Sequence, residues 1–185
     1  MIAQTLRWLP NTLSLARLVL VPLAVWQILE QRYDRAFIIF ALAGVSDAID
    51  GFLARRLDAR TALGSVLDPV ADKALLVSVY VTLGHAGLLP VWLVILVVFR
   101  DALIVLGVLL FHLAGQKMTV APLQVSRMNT VAQVLCAGWV MAATGFGIAQ
   151  EPLTGFLIGL AALTTVASGV GYILVWGRRL IGLEL

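Results

Sequence analysis

Long apolar runs separated by short polar stretches set the pattern of this chain. Six runs recur: Thr12 to Leu29; Ala36 to Leu53, continuing toward Leu57; Pro69 to Leu89; Val91 to Ala114; Thr130 to Ile148, with apolar character reaching back to Leu123; and Leu153 to Trp176. Several approach the roughly 20 residues that carry a helix across a bilayer. The runs are continuous rather than alternating, which argues against a membrane β-barrel. The pattern predicts an all-α integral membrane protein with six transmembrane helices, in one domain spanning residues 1–185. Ahead of the first run, "MIAQTLRWLP" puts Ile2, Leu6 and Leu9 on one helical stripe and predicts a short N-terminal helix lying in the interface. The first run contains Pro22 and lacks a small-residue cleavage site, so it reads as an anchor rather than a removable signal.

Composition agrees with this pattern. Hydrophobic residues make up 61% of the chain and charged residues only 12%, half the share of a soluble domain. With six spans both termini share a side, and that side collects Arg7, Arg55, Arg56, Arg60, Lys73, Lys117, Arg127, Arg178 and Arg179. The opposite side holds Arg32 and Arg35, offset by Glu30 and Asp34. Positive charge marks the cytoplasmic face, so both termini and the connection between the second and third runs are expected there. The net charge of +3 follows from that bias and does not indicate nucleic-acid binding. Trp8, Trp92 and Trp176 fall near expected interfaces. The single cysteine, Cys136, reads as a small core residue, and His85 and His112 have no partner at metal-ligand spacing.

Against this apolar background, "SDAIDGFLARRLDARTALGSVLDPVADK" stands out with five aspartates. Asp47 and Asp50 are three apart, and Asp68 and Asp72 four apart, so each pair shares one face of a helix. A turn from Leu57 to Leu67 would bring the pairs together, with Asp58 solvated inside it. Four converging carboxylates require protons or cations to neutralise them. Hard oxygen ligands favour Mg²⁺, Mn²⁺ or Ca²⁺, and four negative charges match two divalent ions. Such a pair is the usual clamp for displacement at phosphorus. Gly51 and Gly64 leave room for a flat or bulky group near the backbone, Ala54 is small, and Arg55 can meet a phosphate. Two intramembrane carboxylates alone could equally serve an ion or proton pathway, so a transporter is the alternative from another class.

The segment fits D-x2-D-G-x2-A-R-x8-G-x3-D-x3-D without a gap, through Asp47, Asp50, Gly51, Ala54, Arg55, Gly64, Asp68 and Asp72. It resembles the signature of the CDP-alcohol phosphatidyltransferase family. "PNTLSLARLVLVP", "FRDALIVLGV", "SRMNTVAQ" and "TTVASGVGY" extend the resemblance over nearly the whole chain, toward the family's CMP-forming cardiolipin synthase branch. The resemblance implies a six-helix membrane enzyme of phospholipid biosynthesis, commonly a homodimer, in a membrane such as the bacterial inner membrane. It implies that Asp47, Asp50, Asp68 and Asp72 hold two divalent cations, Mg²⁺ or Mn²⁺, and that Asp72 is the general base. Asp47, Gly51, Ala54, Arg55, Gly64 and Asp68 would hold the nucleotide of CDP-diacylglycerol. Phosphatidylglycerol would be the acceptor, giving cardiolipin and CMP, with glycerol 3-phosphate as the alternative acceptor.

Arg100 and Arg127 match basic places that line the acceptor pocket in related enzymes. Lys117 is a further candidate, and reads equally well as a loop residue facing solvent or lipid. The branch usually carries lysine where this chain has Arg127, and a planar guanidinium is not a point-like ammonium. Arg100 lies inside an apolar run and needs a partner; the bland alternative is a local pair with Asp101, although adjacent residues do not face each other on a helix. A phospholipase-D-like route would need paired H-x-K-x4-D motifs, and the residue two after His112 is Ala114. "GFLIG" from Gly155 to Gly159 has a spacing that packs helices.

Overall fold

The computed structural model describes residues 19–57, 64–113, 124–149 and 151–180, with the side chains of 47–57, 64–72, 108–109, 111–113 and 178–180 left outside that description. The N-terminal interfacial helix, Trp8, Asp58 and Lys117 all fall outside the described residues. Every described element is a helix: α1 Val19–Leu29, α2 Tyr33–Leu57, α3 Gly64–His85, α4 Val91–Leu113, α5 Gln124–Gly145 and α6 Leu153–Leu180. Among the described residues one helix, Leu153–Gly177, is long and apolar enough to cross a membrane.

The ends of these helices follow from local chemistry. At the end of α1 the chain turns left-handed at Gln31 (φ 58°), so that Gln31 N–H donates to the Ile28 carbonyl at 3.0 Å and Arg32 N–H to Gln27 at 2.9 Å. This paired closure satisfies two carbonyls that the helix leaves open. The same closure ends α3, where Gly87 (φ 75°) donates to Gly84 at 3.1 Å and Leu88 to Leu83 at 3.0 Å. Gly87 adopts this conformation freely; Gln31 does so against its Cβ. α4 and α6 both start behind a proline whose carbonyl takes the first helical bond, from Leu93 to Pro90 at 3.0 Å and from Phe156 to Pro152 at 3.2 Å. The third apolar run differs most from expectation. Its helix begins at Gly64 rather than at Pro69 and stops at His85, because the turn at Gly87 cuts off the last apolar residues.

The chain divides into two compact units, Met1–Leu88 with Ala137–Gln150, and Leu89–Cys136 with Glu151–Leu185. In the first unit the buried positions include Ala24 and Ile28 of α1, Ala36, Phe40 and Ala43 of α2, Leu76, Val79, Tyr80 and Leu83 of α3, and Val140 and Met141 of α5. The spacing of three and four is that of one helix face. Phe37 and Phe146 meet edge to face at 6.1 Å. Gly145 sits so close to the start of α2 that a Cβ there would run into the backbone of Tyr33 and Asp34.

In the second unit α4 packs against α6. α6 buries a single stripe, Leu157, Ala161, Thr165, Ser168, Tyr172 and Trp176, spaced by fours and one three. α4 buries Leu93, Val97, Arg100 and Asp101, and its Gly107 lies directly against the Trp176 ring. Trp176 is buried at 8% exposure and tilted against Tyr172 at 5.4 Å. A glycine opposite it opens the space that an indole fills. The outward faces are apolar: Ile95 and Phe99 of α4 are each 63% exposed and Leu163 of α6 is 69% exposed. The described core is mainly apolar, with a few buried charged, amide and hydroxyl side chains, and the exposed faces of α4 and α6 carry large apolar side chains as well.

Candidate active site

The carboxylate segment lies in the first unit. α2 remains helical through Asp47 and Asp50 to Leu57, and α3 is already helical at Gly64, ahead of Asp68 and Asp72. Both pairs therefore lie on continuous helix, where separations of three and four keep side chains on one face about 4.5 and 6 Å apart along the axis. The connection between the helices is shorter than expected, since Gly64 and Leu67 belong to α3 rather than to a turn. The side chains of all four aspartates, and those of Ala54 and Arg55, are outside the described set. The donor set, four carboxylates paired at helical spacing in one unit, has the hard oxygen character that Mg²⁺ and Mn²⁺ require. It lacks the thiolates and imidazoles that would favour zinc.

A second polar cluster lies inside the other unit. Arg100, 2% exposed, is held by three helices. Its Nη1 donates to Asp101 Oδ1 at 2.7 Å, its Nη2 to Ser126 Oγ of α5 and Ser168 Oγ of α6 at 2.5 Å each, and its Nε to Ser168 Oγ at 3.2 Å. The Tyr172 ring lies 5.8 Å from Cζ. Adjacent residues point about 100° apart on a helix, yet the arginine stem is long enough to bend back onto the neighbouring carboxylate. The two charges thus neutralise one another where an unpaired ion would be costly.

Next to this cluster, α5 and α6 are joined by amides and hydroxyls. Thr165 Oγ1 lies 2.8 Å from Asn129 Oδ1 and 3.1 Å from Gln133 Nε2, and donates to the Ala161 carbonyl at 2.6 Å. Thr164 Oγ1 approaches Asn129 Oδ1 at 3.0 Å and the Leu160 carbonyl at 2.8 Å. Each threonine hydroxyl faces both a helix carbonyl and Asn129 Oδ1, which accepts, while Gln133 Nε2 donates to Thr165 Oγ1. Asn129 and Gln133 are fully buried, and their hydrogen bonds tie the two helices together.

Of the expected acceptor residues, Arg100 is buried in this cluster. Arg127 is exposed in the first turn of α5, beside Ser126, and Lys117 lies outside the described residues. Sequence reasoning passed over Ser126, Asn129, Gln133, Thr165, Ser168 and Tyr172. Their signal is the spacing of α6, where Thr165, Ser168 and Tyr172 continue a buried stripe begun by Leu157 and Ala161.

The sequence profile of CDP-alcohol phosphatidyltransferases matches residues 7–168, covering the aspartate motif and the Arg100 cluster up to Ser168. The chain belongs to the CDP-alcohol phosphatidyltransferase family. This is a family of membrane-associated transferases that depend on divalent metal. Among similar proteins, the human cardiolipin synthase (CMP-forming) is 33% identical over 189 residues, which cover 94% of this chain and 62% of that protein. The Streptomyces coelicolor cardiolipin synthase (CMP-forming) is 41% identical over 112 residues, 56% of this chain and 52% of that protein. The Bacillus subtilis CDP-diacylglycerol–glycerol-3-phosphate 3-phosphatidyltransferase is 31% identical over 180 residues, 89% of this chain and 92% of that protein. The chain thus spans about 62% of the length of the human synthase. As a phosphatidyltransferase-family chain, it places the family's motif on two continuous helices of one unit.

Proposed function

We propose that this chain transfers a phosphatidyl group from CDP-diacylglycerol to a hydroxyl of phosphatidylglycerol, giving cardiolipin and CMP. The observation that carries the reading is the ungapped aspartate motif on the continuous helices α2 and α3, within a chain that belongs to the family. The active unit is one domain over residues 1–185, working as a homodimer of six-span subunits. The motif and both termini lie on the cytoplasmic side, on the basis of the lysine and arginine distribution.

Asp47, Asp50, Asp68 and Asp72 would hold two divalent cations, Mg²⁺ or Mn²⁺. When bound, such ions neutralise the donor diphosphate and stabilise charge on the attacking and leaving oxygens. Asp72 takes the proton from the acceptor hydroxyl. The acceptor oxygen then forms a bond to the phosphorus bearing diacylglycerol, and the bond from that phosphorus to the oxygen of CMP breaks. Asp47 and Asp68, with Gly51, Ala54, Arg55 and Gly64, surround the cytidine nucleotide. Arg127 and Arg100, with Lys117, supply positive charge for the phosphate of the acceptor.

Glycerol 3-phosphate is the second acceptor reading, supported by the Bacillus relative, nearly all of whose length this chain covers. The two are separated by purifying the protein, adding CDP-diacylglycerol with Mg²⁺ or Mn²⁺, and measuring CMP release with each acceptor. Release with phosphatidylglycerol and little with glycerol 3-phosphate is the expected result. The reverse preference would replace the first reading with the second. An absence of release with both would remove the transferase reading.

A further inference from the structure

We propose that Asp101 is a positioning residue for the acceptor site: with Ser126 and Ser168 it holds the Arg100 guanidinium in one orientation, so that a single N–H is left to meet an anionic oxygen. The proposal rests on the transferase reading above. Arg100 has five N–H donors. Four contacts join it to Asp101, Ser126 and Ser168, two of them to the same serine oxygen. The second N–H of Nη1 has no partner among the described residues. The guanidinium is therefore nearly saturated, and what remains points in one direction.

Several features fix that direction. Nη1 is tied to its own helix through Asp101, Nη2 to α5 and α6, and Nε to α6. Tyr172 lies over the guanidinium at 5.8 Å. A side chain with three helices and a ring around it has surrendered its rotamer freedom before any ligand arrives, and preorganisation of this kind lowers the cost of binding. Ser126 also places the guanidinium beside the first turn of α5, where Arg127 is exposed. In the proposal, a phosphate at that end of α5 has Arg100 and Arg127 as its partners. Asp101 does not itself meet the anion. Its charge allows a cation to remain in a buried place, and its Oδ1 sets which Nη1 hydrogen is left over.

The test is steady-state kinetics of the full chain in mixed micelles, varying phosphatidylglycerol and CDP-diacylglycerol separately. Asp101→Asn removes the charge but keeps the size. It is expected to raise KM for the acceptor about tenfold or more, with a much smaller change in KM for the donor. Ser168→Ala removes two of the four contacts and leaves the ion pair, with an expected rise in acceptor KM of about three- to tenfold. Asp101→Glu should restore part of the Asp101→Asn loss, since it returns the charge. A purely structural role would lower the yield of folded enzyme and its turnover while leaving acceptor KM unchanged, and that result would overturn the proposal. If Asp101→Asn does not fold, Ser168→Ala decides: an unmoved acceptor KM overturns it. A wild-type protein inactive with either acceptor overturns this inference together with the transferase reading. An active wild type with unmoved KM values overturns this inference alone.

Discussion

The α2–α3 carboxylate segment and the α4–α5–α6 cluster around Arg100 solve the same problem in opposite ways. Both place charge in a chain built for apolar surroundings. In the first region the four aspartates of the motif lie within 26 residues of sequence, from Asp47 to Asp72, with Arg55, Arg56, Asp58 and Arg60 between them. In the proposed function their neutralisation comes from external divalent cations, which suit hard oxygen donors. In the second region the chain neutralises its own charge, pairing Arg100 with Asp101 at 2.7 Å and adding hydroxyls from residues 26 and 68 positions away. Charge left open to an external ion suits chemistry. Charge closed by the protein suits holding and orienting. The first region is where substitutions should strike turnover, and the second is where they should strike binding and helix packing.

The largest expected effect breaks the comparison if it fails. Asp72→Asn should lower kcat by about 10²- to 10⁴-fold, the usual contribution of a positioned general base, with the protein still eluting as folded material. An unchanged kcat would remove Asp72 as the base and blur the division between the two regions. Next come two glycines, one in each unit. Gly145→Ala would drive a Cβ into the backbone of Asp34 and Tyr33, which cannot step aside, so a loss of about 3 kcal/mol or more is expected. Gly107→Ala meets the ring of Trp176, a side chain that can shift, and should cost about 1–2 kcal/mol. Thermal melts of both variants in detergent check the order; a greater loss at Gly107 would show that the α4–α6 contact is the more rigid one. The smallest effect concerns the polar ladder. Thr165→Val keeps the shape and removes the hydroxyl between Gln133 and the Ala161 carbonyl. Interhelical bonds of this kind contribute about 0.6 kcal/mol, so the melt should move only slightly.

The sequence carried the first region further than the second, and the reason is physical. Helical spacing is a local property. Asp47 with Asp50, and Asp68 with Asp72, declare a shared face as soon as the segment is known to be helical, and α2 and α3 are continuous there. The ranges of α2, α4 and α6 were legible from their apolar runs, and prolines just ahead of α4 and α6 mark those two starts. The start of α3 was not, because Asp68 separates Val66 and Leu67 from the run and Pro69 resembles a starting point. The Arg100 cluster depends on α5 and α6 meeting α4, and no local spacing announces that Ser126 and Ser168 will face one guanidinium. Even the Arg100–Asp101 pair looked unfavourable from helix geometry, until the length of the arginine stem entered. The packing of Trp176 was not legible because it depends on Gly107, more than sixty residues earlier.

The central claim, that the aspartates of α2 and α3 hold divalent cations for a phosphatidyl transfer, is tested most directly by counting bound metal. Manganese binding to the purified chain, followed by electron paramagnetic resonance, should saturate at about two ions per chain. The double variant Asp47→Asn with Asp68→Asn should lose that binding while retaining its helical circular dichroism. Undiminished binding of about two ions by the double variant would contradict the account, because the cations would then be held somewhere else.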